Sequence, residues 1–145
     1  MFIRYAARVP LPVADCDRTL AVAAREAAGD HSGVGFKLGP ASIRKRVRLE
    51  VGPPAPVGQW TRLPVAWRAS PGERLFPILD GYLEIGPLTP QESKLFMKAN
   101  YQPPLGRLGQ AIDEVAMHRV ARATVKDFVD SVVARLVEST AATTN

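Results

Sequence analysis

Hydrophobic positions divide this chain into a long first part with mostly alternating segments and a last third with a helical period. Between Phe2 and Tyr101, most apolar segments are short, rich in β-formers and bounded by proline or glycine. From Leu108 to Val137, apolar residues recur at three- and four-residue intervals without an internal proline. The first pattern predicts strands and the second predicts one long helix. The strands need an apolar partner, and this helix is the main candidate.

The start of the chain predicts a strand followed by helical structure. Phe2 to Val9 is rich in β-formers and ends at Pro10 and Pro12, which cannot donate to a sheet. From Val13 onward, helical spacing predicts one helix, or two short ones, of about four turns, and Gly29 suits its end. The apolar side of this segment consists of Val13, Cys16, Leu20, Ala23, Ala24 and Ala27.

The middle of the chain predicts antiparallel strands. Gly33 to Gly39 fits either a short edge strand or a glycine-rich loop, and Ser42 to Val51 alternates between apolar and charged positions. Gly52 to Gly58 is typical of a turn or loop. Gln59 to Arg68 resumes the alternation, but Pro64 limits that strand to an edge or a bulged position.

Two further strands are predicted to form a hairpin. Leu75 to Ile85 contains Asp80-Gly81, which is itself a hairpin signal. Because a turn there would leave flanking strands of only about four residues, we predict one strand with a bulge or close backbone approach at Gly81. Gly86 to Gln91 then forms the turn, and Ser93 to Tyr101 returns along the sheet.

The apolar face of the last helix shifts along its length. Leu108, Ile112 and Val115 lie on nearly the opposite side from the rest, so the helix is covered on two faces near its start or breaks near Met117. After Glu138 no apolar residue larger than Ala follows, which predicts a frayed tail at residues 139–145. The main apolar face is formed by Met117, Ala121, Val125, Phe128, Val132 and Leu136, widened by Thr124, Val129 and Val133.

Composition indicates one ordinary globular domain. The length of 145 residues, with 46% hydrophobic and 23% charged residues, predicts a single domain over residues 1–138. The single cysteine, Cys16, excludes an intramolecular disulfide and a cysteine-cluster metal site, and we expect it to be packed rather than reactive. No apolar run reaches the length of a membrane span and the first residues lack signal-peptide order, which predicts a cytoplasmic protein that is not an integral membrane protein.

The order of elements and three stretches of sequence resemble a known superfamily. The stretches are Phe76 to Ile85, Tyr101 to Gly106 and Val120 to Phe128. Over residues 2–138 the chain resembles the SRPBCC superfamily, which includes START domains, Bet v 1-like proteins and polyketide cyclases/aromatases. The resemblance implies an α+β helix-grip fold, in which a curved antiparallel sheet wraps around a long C-terminal helix. It also implies an elongated apolar cavity between sheet and helix, but no catalytic residue, since the superfamily shares no catalytic motif.

The residues predicted to line this cavity face inward from the strands and the last helix. Pocket and core are built from the same side chains, so each is also a candidate core residue. Lys45, Trp67, Tyr101 and Thr124 can supply the few directed hydrogen bonds, or the charge, that orient an apolar ligand. For Lys45 the alternatives are a register slip or an edge lysine whose ammonium reaches solvent. The full predicted set is Lys45, Val47, Leu63, Val65, Trp67, Leu79, Leu83, Leu95, Met97, Tyr101, Met117, Ala121, Thr124 and Val125.

The two histidines do not predict a metal site or a cofactor. His31 and His118 lack the spacing of metal ligands relative to each other or to other donors. His118 lies at the margin of the helix's inward face, where it suits either a general base in a cyclase-like reaction or a structural hydrogen bond to backbone or water.

Charged residues are predicted to occupy the solvent face of the strands. Asp80 and Glu84 fall opposite the apolar stripe and are expected to be solvated, or paired with arginines at positions 44, 46 and 48. The chain carries 19 basic and 14 acidic residues, a net +5, which points weakly to anionic partners. The basic run Ile43 to Arg48 has interleaved apolar residues and no recognition helix or aromatic platform beside it, so nucleic-acid binding is not favoured.

Three functions remain open from the sequence. The first is binding of a hydrophobic small molecule or lipid in the internal cavity. The second is a polyketide cyclase/aromatase-like enzyme that uses Tyr101, Trp67, Thr124 and His118 as cavity groups. The third is an interaction protein with a filled cavity whose arginine-rich face meets an acidic partner. The sequence specifies neither the ligand nor an oligomeric state.

Overall fold

The computed structural model describes residues 2–30, 33–38, 41–69, 78–102 and 114–144, with side chains at 2–28, 50–66, 79–100, 118–119 and 121–141. One strand, two short helices, a run of strands and a last helix follow one another along the chain. In chain order the elements are β1 (Phe2–Val9), α1 (Val13–Asp17), α2 (Leu20–Asp30), β2 (Gly33–Leu38), β3 (Ala41–Val51), β4 (Ala55–Val57), β5 (Trp60–Ala69), β6 (Ile78–Thr89), β7 (Glu92–Gln102) and α3 (Glu114–Thr144).

The strands form one antiparallel sheet with the helices on one side. The order across the sheet is β1-β7-β6-β5-β3-β2, and the short β4 pairs with β5 beside the end of β3. β1 and β2 therefore lie at the two edges of the described sheet. The main contacts of α3 are with α2, β1 and β7, and α2 also contacts β3. This is the predicted α+β arrangement of a sheet closed by the C-terminal helix.

The early helical segment consists of two helices rather than one. α1 ends at Asp17 and α2 begins at Leu20, and the amide of Thr19 donates to the Cys16 carbonyl across the break. Gly33 to Leu38 forms an edge strand, which decides between the two alternatives open for that stretch. The loop predicted between Gly52 and Gly58 contains the strand β4, with Gly58 at φ +64° in the following turn.

Of the two alternatives predicted for the strand that contains Pro64, an edge or a bulged strand, the edge is wrong. β5 lies inside the sheet, between β6 and β3. The pairing of β3 with β5 stops at Val51 opposite Val65, and β4 resumes it at Ala55 opposite Arg62. Pro64 occupies this gap, and its carbonyl accepts a hydrogen bond from the Gly52 amide at 2.8 Å. The missing N–H of proline therefore falls where the neighbouring strand is interrupted, and the central strand tolerates it.

Gly81 marks a close approach of two backbones within a continuous strand. β6 runs through Asp80-Gly81 without turning, and Gly81 pairs with Val65 on one side and Ala99 on the other. A Cβ atom at this position would lie 2.7 Å from the Ala99 Cα and closer still to the Lys98 carbonyl oxygen. The close approach predicted from the sequence is confirmed, and the register shift in this hairpin lies elsewhere, between Pro87 and Thr89.

The C-terminal helix has the predicted apolar face and a later end. Residues 103–113 lie outside the described part, so the predicted start at Leu108 and the faces of Leu108 and Ile112 do too. The helix extends to Thr144, past the predicted end at Val137, and the Thr140 hydroxyl donates to the Leu136 carbonyl at 3.2 Å. Its buried face comprises Ala121, Val125, Phe128, Val129, Val132 and Leu136.

Candidate functional site

The face of the sheet that meets α3 carries uncharged side chains in aligned rows. Residues directly opposite each other in an antiparallel sheet share a face. One row joins Leu63, Leu83, Met97 and Tyr5 across β5, β6, β7 and β1. The next row joins Val65, Gly81, Ala99 and Ile3, and a further row joins Thr61, Ile85, Leu95 and Ala7. We call this surface the inner face, and a molecule held against it meets mainly apolar groups.

Two polar contacts hold α3 in place beside its apolar packing. The Tyr5 hydroxyl donates to Asp130 Oδ1 at 2.8 Å, joining β1 to the middle of the helix. This hydrogen bond raises the pKa of Tyr5, because the neutral phenol is the form that can donate, and partial burial adds to the effect. Arg135 Nη1 lies 3.3 Å from Glu26 Oε2 and joins the C-terminal half of α3 to α2.

α1 closes one end of the inner face. Its Cys16 side chain is fully buried against β7, with Sγ 3.9 Å from the Ser93 hydroxyl, and that hydroxyl donates to the Leu11 carbonyl at 2.7 Å. The Thr61 hydroxyl donates to Asp17 at 3.0 Å and ties α1 to β5. Burial raises the pKa of the Cys16 thiol, so the packed, unreactive role expected for it is supported.

Small residues concentrate on the inner face away from α1. Gly81 and Ala99 are neighbours in the row that starts at Ile3, and Ala121 lies on the apolar side of α3. Gly81 is half-buried, whereas Leu79 and Leu83 on either side of it are at most 1% exposed. Glycine and alanine project less far from the backbone than leucine or phenylalanine, so they fill less of the volume between the sheet and the helix.

The predicted cavity residues fall into three groups in the structure. The side chains of Lys45, Val47, Trp67, Tyr101 and Met117 lie outside the described residues. Thr124 is half-buried on α3, beside the fully packed positions. The other eight have inward, buried side chains that are 0–3% exposed, as predicted: Leu63, Val65, Leu79, Leu83, Leu95, Met97, Ala121 and Val125. Whether any of the fourteen contacts a ligand stays a prediction.

The outer face of the sheet holds a polar and aromatic cluster that was not predicted. Glu84 was expected to be solvated or paired with arginines on the preceding strands, but it is 8% exposed and accepts a hydrogen bond from Arg62 Nε at 2.7 Å. The Arg62 guanidinium also lies 4.1 Å from the centre of the Tyr82 ring. Trp60 contacts Phe96 edge to face, with ring centroids 5.4 Å apart. Direct opposition of Arg62 and Glu84 in the register explains the correction.

Asp80 has the solvent-exposed position expected for it, and the burial of His118 is compatible with a place at the margin of the helix's inward face. His118 is half-buried near the start of α3, and Asp80 is exposed on β6. Among the side chains that the structure describes, no three His, Cys, Asp or Glu residues are arranged to hold a metal ion. No helix in the described ranges is both long and apolar enough to cross a membrane.

Comparison with known proteins finds likeness in structure alone. No family model matches the chain, and no curated protein matches it. A conserved protein from Geobacillus kaustophilus is 13% identical with a TM-score of 0.59, over 96% of this chain and 97% of that one. The Zhui aromatase/cyclase from Streptomyces sp. R1128 is 12% identical with a TM-score of 0.53, over 94% and 93% of the two chains.

The likeness in structure extends to a third solved protein. Ara h 8.0201 is 8% identical with a TM-score of 0.50, over 95% of this chain and 98% of that one. Identities this low establish a shared fold and leave the activity open. These solved structures and this chain share an α+β helix-grip fold, with an antiparallel sheet and a C-terminal helix.

Proposed function

We propose that this protein binds a hydrophobic small molecule or lipid between the inner face of the sheet and the N-terminal half of α3. The observation that supports this most strongly is the absence of charge on both surfaces, within the part of the chain whose side chains are described. The inner-face positions of β1, β5, β6 and β7 and the buried side of α3 carry no ionised group there. A charged ligand would lose its hydration without gaining a partner, whereas an apolar one would not.

The proposed position of the ligand follows from how the two ends of the inner face differ. α1 fills the end near Ser93, so the ligand lies at the other end, near Leu79, Gly81 and Ala99. Ala121 and Thr124 then face it from α3, and the predicted polar groups Lys45, Trp67 and Tyr101 belong to the same proposal. A few directed hydrogen bonds from such groups fix the orientation of an otherwise apolar ligand.

The described inward side chains set a condition on this proposal. Leu63, Leu83 and Met97 are at most 2% exposed, so protein atoms cover nearly their whole surface. Leu79 and Ala99 are also at most 1% exposed, so a ligand at that end has to displace protein atoms there as well. We therefore expect a ligand of limited depth, held near the small residues, rather than one that runs the full length of the sheet.

The first test identifies what the protein carries. Purified protein is extracted with organic solvent and the extract is analysed by mass spectrometry beside a mock purification. We expect a fatty acid, isoprenoid or polyketide-like compound in stoichiometric amount. A fluorescent long-chain fatty acid should bind, and at about 100 times its Kd it should raise the Tm by roughly 5–10 °C. An empty extract together with an unchanged Tm would contradict the proposal.

A matched pair of variants on α3 tests the position of the ligand. Ala121 is 3% exposed on the buried side of the helix, whereas Ala123 is exposed on the other side. Ala121→Phe fills the proposed space and should weaken binding of the fluorescent fatty acid by about tenfold or more. Ala123→Phe adds the same ring and should leave binding unchanged. Equal affinities for the two variants, with both folded by circular dichroism, would place the ligand elsewhere.

A cyclase-like enzyme is the second candidate, supported by the likeness to the aromatase/cyclase Zhui. His118 and Thr124 are both half-buried on α3, but six residues of helix turn them about 120° apart. They do not face one point in a substrate, which is why binding without reaction is the first proposal. The test is product formation from a supplied poly-β-ketone by wild type, His118→Ala and Thr124→Val. Faster cyclisation by wild type than by both variants would favour the enzyme.

A further inference from the structure

The outer face of the β1–β7 pair places like charges directly opposite each other. Arg4 pairs with Lys98 and Arg8 pairs with Lys94 in the register of the two strands. Opposed residues on one face of an antiparallel pair have Cβ atoms only about 5 Å apart, and like charges there are destabilising. The two pairs lie on the same outward face, with the outward pair of Ala6 and Phe96 between them, and form what we call the cationic ladder.

Within the described part of the chain, one carboxylate offsets the ladder. Arg8 Nε lies 3.5 Å from Glu92 Oε2, and the arginine side chain is 71% exposed. Arg4, Lys94 and Lys98 make no ion pair with any described carboxylate. Glu84, which lies in the neighbouring strand, is engaged by Arg62. The ladder therefore presents four cations against one anion to solvent, and repulsion between its members would be relieved by an external anionic surface.

Exposed apolar side chains lie at both ends of the ladder. Phe2 is 72% exposed and lies opposite Asn100, beyond the pair of Arg4 and Lys98. Leu88 is 44% exposed in the β6–β7 turn, beyond the pair of Arg8 and Lys94. Val57, the last residue of β4, is exposed near that same end. It pairs with Trp60, whose ring covers Gly86, and Gly86 pairs with Lys94 of the ladder. Cations in the middle and apolar groups at both ends thus share one face.

We propose that this outer face docks on an anionic lipid surface. Lipid phosphates would lie opposite the four cations, and the apolar boundary of the bilayer would take Phe2 at one end and Leu88 with Val57 at the other. A nucleic acid or an acidic polypeptide would satisfy the cations but would offer little to the exposed aliphatic side chains. The half-buried Trp60 and Phe96 beside the ladder are of the residue types found at bilayer interfaces.

This proposal is independent of the ligand proposed above, because it concerns the opposite face of the sheet. The cations and apolar groups of the outer face point away from α3 and the inner rows. A protein that held no ligand could still dock by this face, and a ligand-binding protein could lack docking. The two experiments therefore fail separately.

Vesicle sedimentation tests the charge requirement. The protein is spun with vesicles of phosphatidylcholine alone or with about one third phosphatidylglycerol, at low and high salt. We expect binding to the anionic vesicles that weakens with salt, and little binding to the neutral ones. Lys94→Glu/Lys98→Glu should lower the affinity by about tenfold or more. The control Arg119→Glu/Arg122→Glu, at exposed positions on α3, makes the same change in total charge and should retain binding.

The apolar requirement is tested with a second matched pair. Phe2→Ser/Leu88→Ser should weaken binding to anionic vesicles about three- to tenfold at unchanged charge. Val22→Ser/Val137→Ser removes two exposed aliphatic side chains from α2 and α3 and should have no effect. Absence of wild-type binding at low salt, or equal losses in test and control variants, would overturn the proposal. Tighter binding to a single-stranded oligonucleotide or to polyglutamate than to the vesicles would also overturn it.

Discussion

On the inner face of the sheet, Leu63, Leu83 and Met97 form one row and are at most 2% exposed, whereas the adjacent outer row consists of Arg62, Glu84 and Phe96. The inner row gains stability from apolar surface removed from water, which depends on size and burial. The outer row depends on specific partners, because an ion pair contributes only when its geometry is good and its surroundings are partly buried. Equal-sized substitutions should therefore cost several times more on the inner face.

The largest effect is expected at the centre of the inner row. Leu83→Ala should lower the free energy of unfolding by about 3 kcal/mol, because it removes a fully buried side chain and leaves a cavity under α3. Lys98→Ala on the outer face of the next strand should change it by less than about 0.5 kcal/mol. Urea unfolding followed by circular dichroism measures both. Similar losses for the two variants would contradict the assignment of the faces.

A smaller loss is expected at the buried ion pair of the outer face. Glu84→Gln should lower the free energy of unfolding by about 1–2 kcal/mol. The side chain of Glu84 is only 11% exposed, but the side chain of Arg62 is 40% exposed and keeps part of its hydration. Glu92→Gln removes the same charge from the exposed pair with Arg8 and should cost less than about 0.5 kcal/mol. Chemical unfolding at neutral pH separates the two. If Glu92→Gln costs as much as Glu84→Gln, burial does not distinguish the pairs.

The hydrogen bond from Tyr5 in β1 to Asp130 in α3 should make the free energy of unfolding depend on pH in the alkaline range. The pKa of Tyr5 is raised above its ordinary value of 10.0 by the hydrogen bond to Asp130. The contribution of this hydrogen bond to stability is therefore present below about pH 10. It is lost as the pH rises through the higher pKa that Tyr5 has in the folded state. Tyr5→Phe should cost about 1 kcal/mol at pH 7. The difference from wild type should shrink above pH 10, and a difference that stayed constant to pH 11 would exclude this origin.

The smallest expected effect has the opposite sign. Lys98→Glu places an acid opposite Arg4 in the cationic ladder and should stabilise the fold by about 0.5 kcal/mol, because it turns a repulsive cross-strand pair into an attractive one. Arg122→Glu, on α3 and away from the ladder, should change stability by less than about 0.3 kcal/mol. Thermal unfolding at low salt resolves the difference. A lower Tm for Lys98→Glu would show that the ladder is not under charge repulsion.

The inner face and the helix could be predicted from the sequence because the spacing of apolar residues shows directly which face of a strand or helix they occupy. Alternation in β6 and β7 placed Leu83, Leu95 and Met97 inward, and all are buried. The helical period placed Val125, Phe128 and Val132 on one face of α3 in the same way. These inferences need only the local chain and the tendency of apolar groups to leave water.

The outer face could not be predicted in this way because its contacts depend on which strands are neighbours. The sequence predicts Glu84 to be solvated or paired with the arginines at positions 44, 46 and 48 of β3, but β5 lies beside β6 and supplies Arg62 instead. Pro64 predicts an edge or a bulged strand, and the interruption between β3 and β4 that accommodates it is visible only once the strands are paired. The opposition of Arg4 and Lys98 likewise joins residues that are far apart in the sequence. Sheet order is a global property, and local patterns do not specify it.

The pairing of β1 with β7 also determines when the protein can complete its fold. Val9 meets Ser93, and the Tyr5 hydroxyl meets a carboxylate 125 positions further along the chain. At synthesis rates of roughly 5–20 residues per second, β1 therefore leaves the ribosome on the order of ten seconds before its last partner. Contacts so distant in sequence make folding slow, since the loop must close before they stabilise anything. β1 is thus made well before its partner β7 and is among the last strands to be paired. A nascent chain that stops before β7 leaves β1 as an unpaired edge.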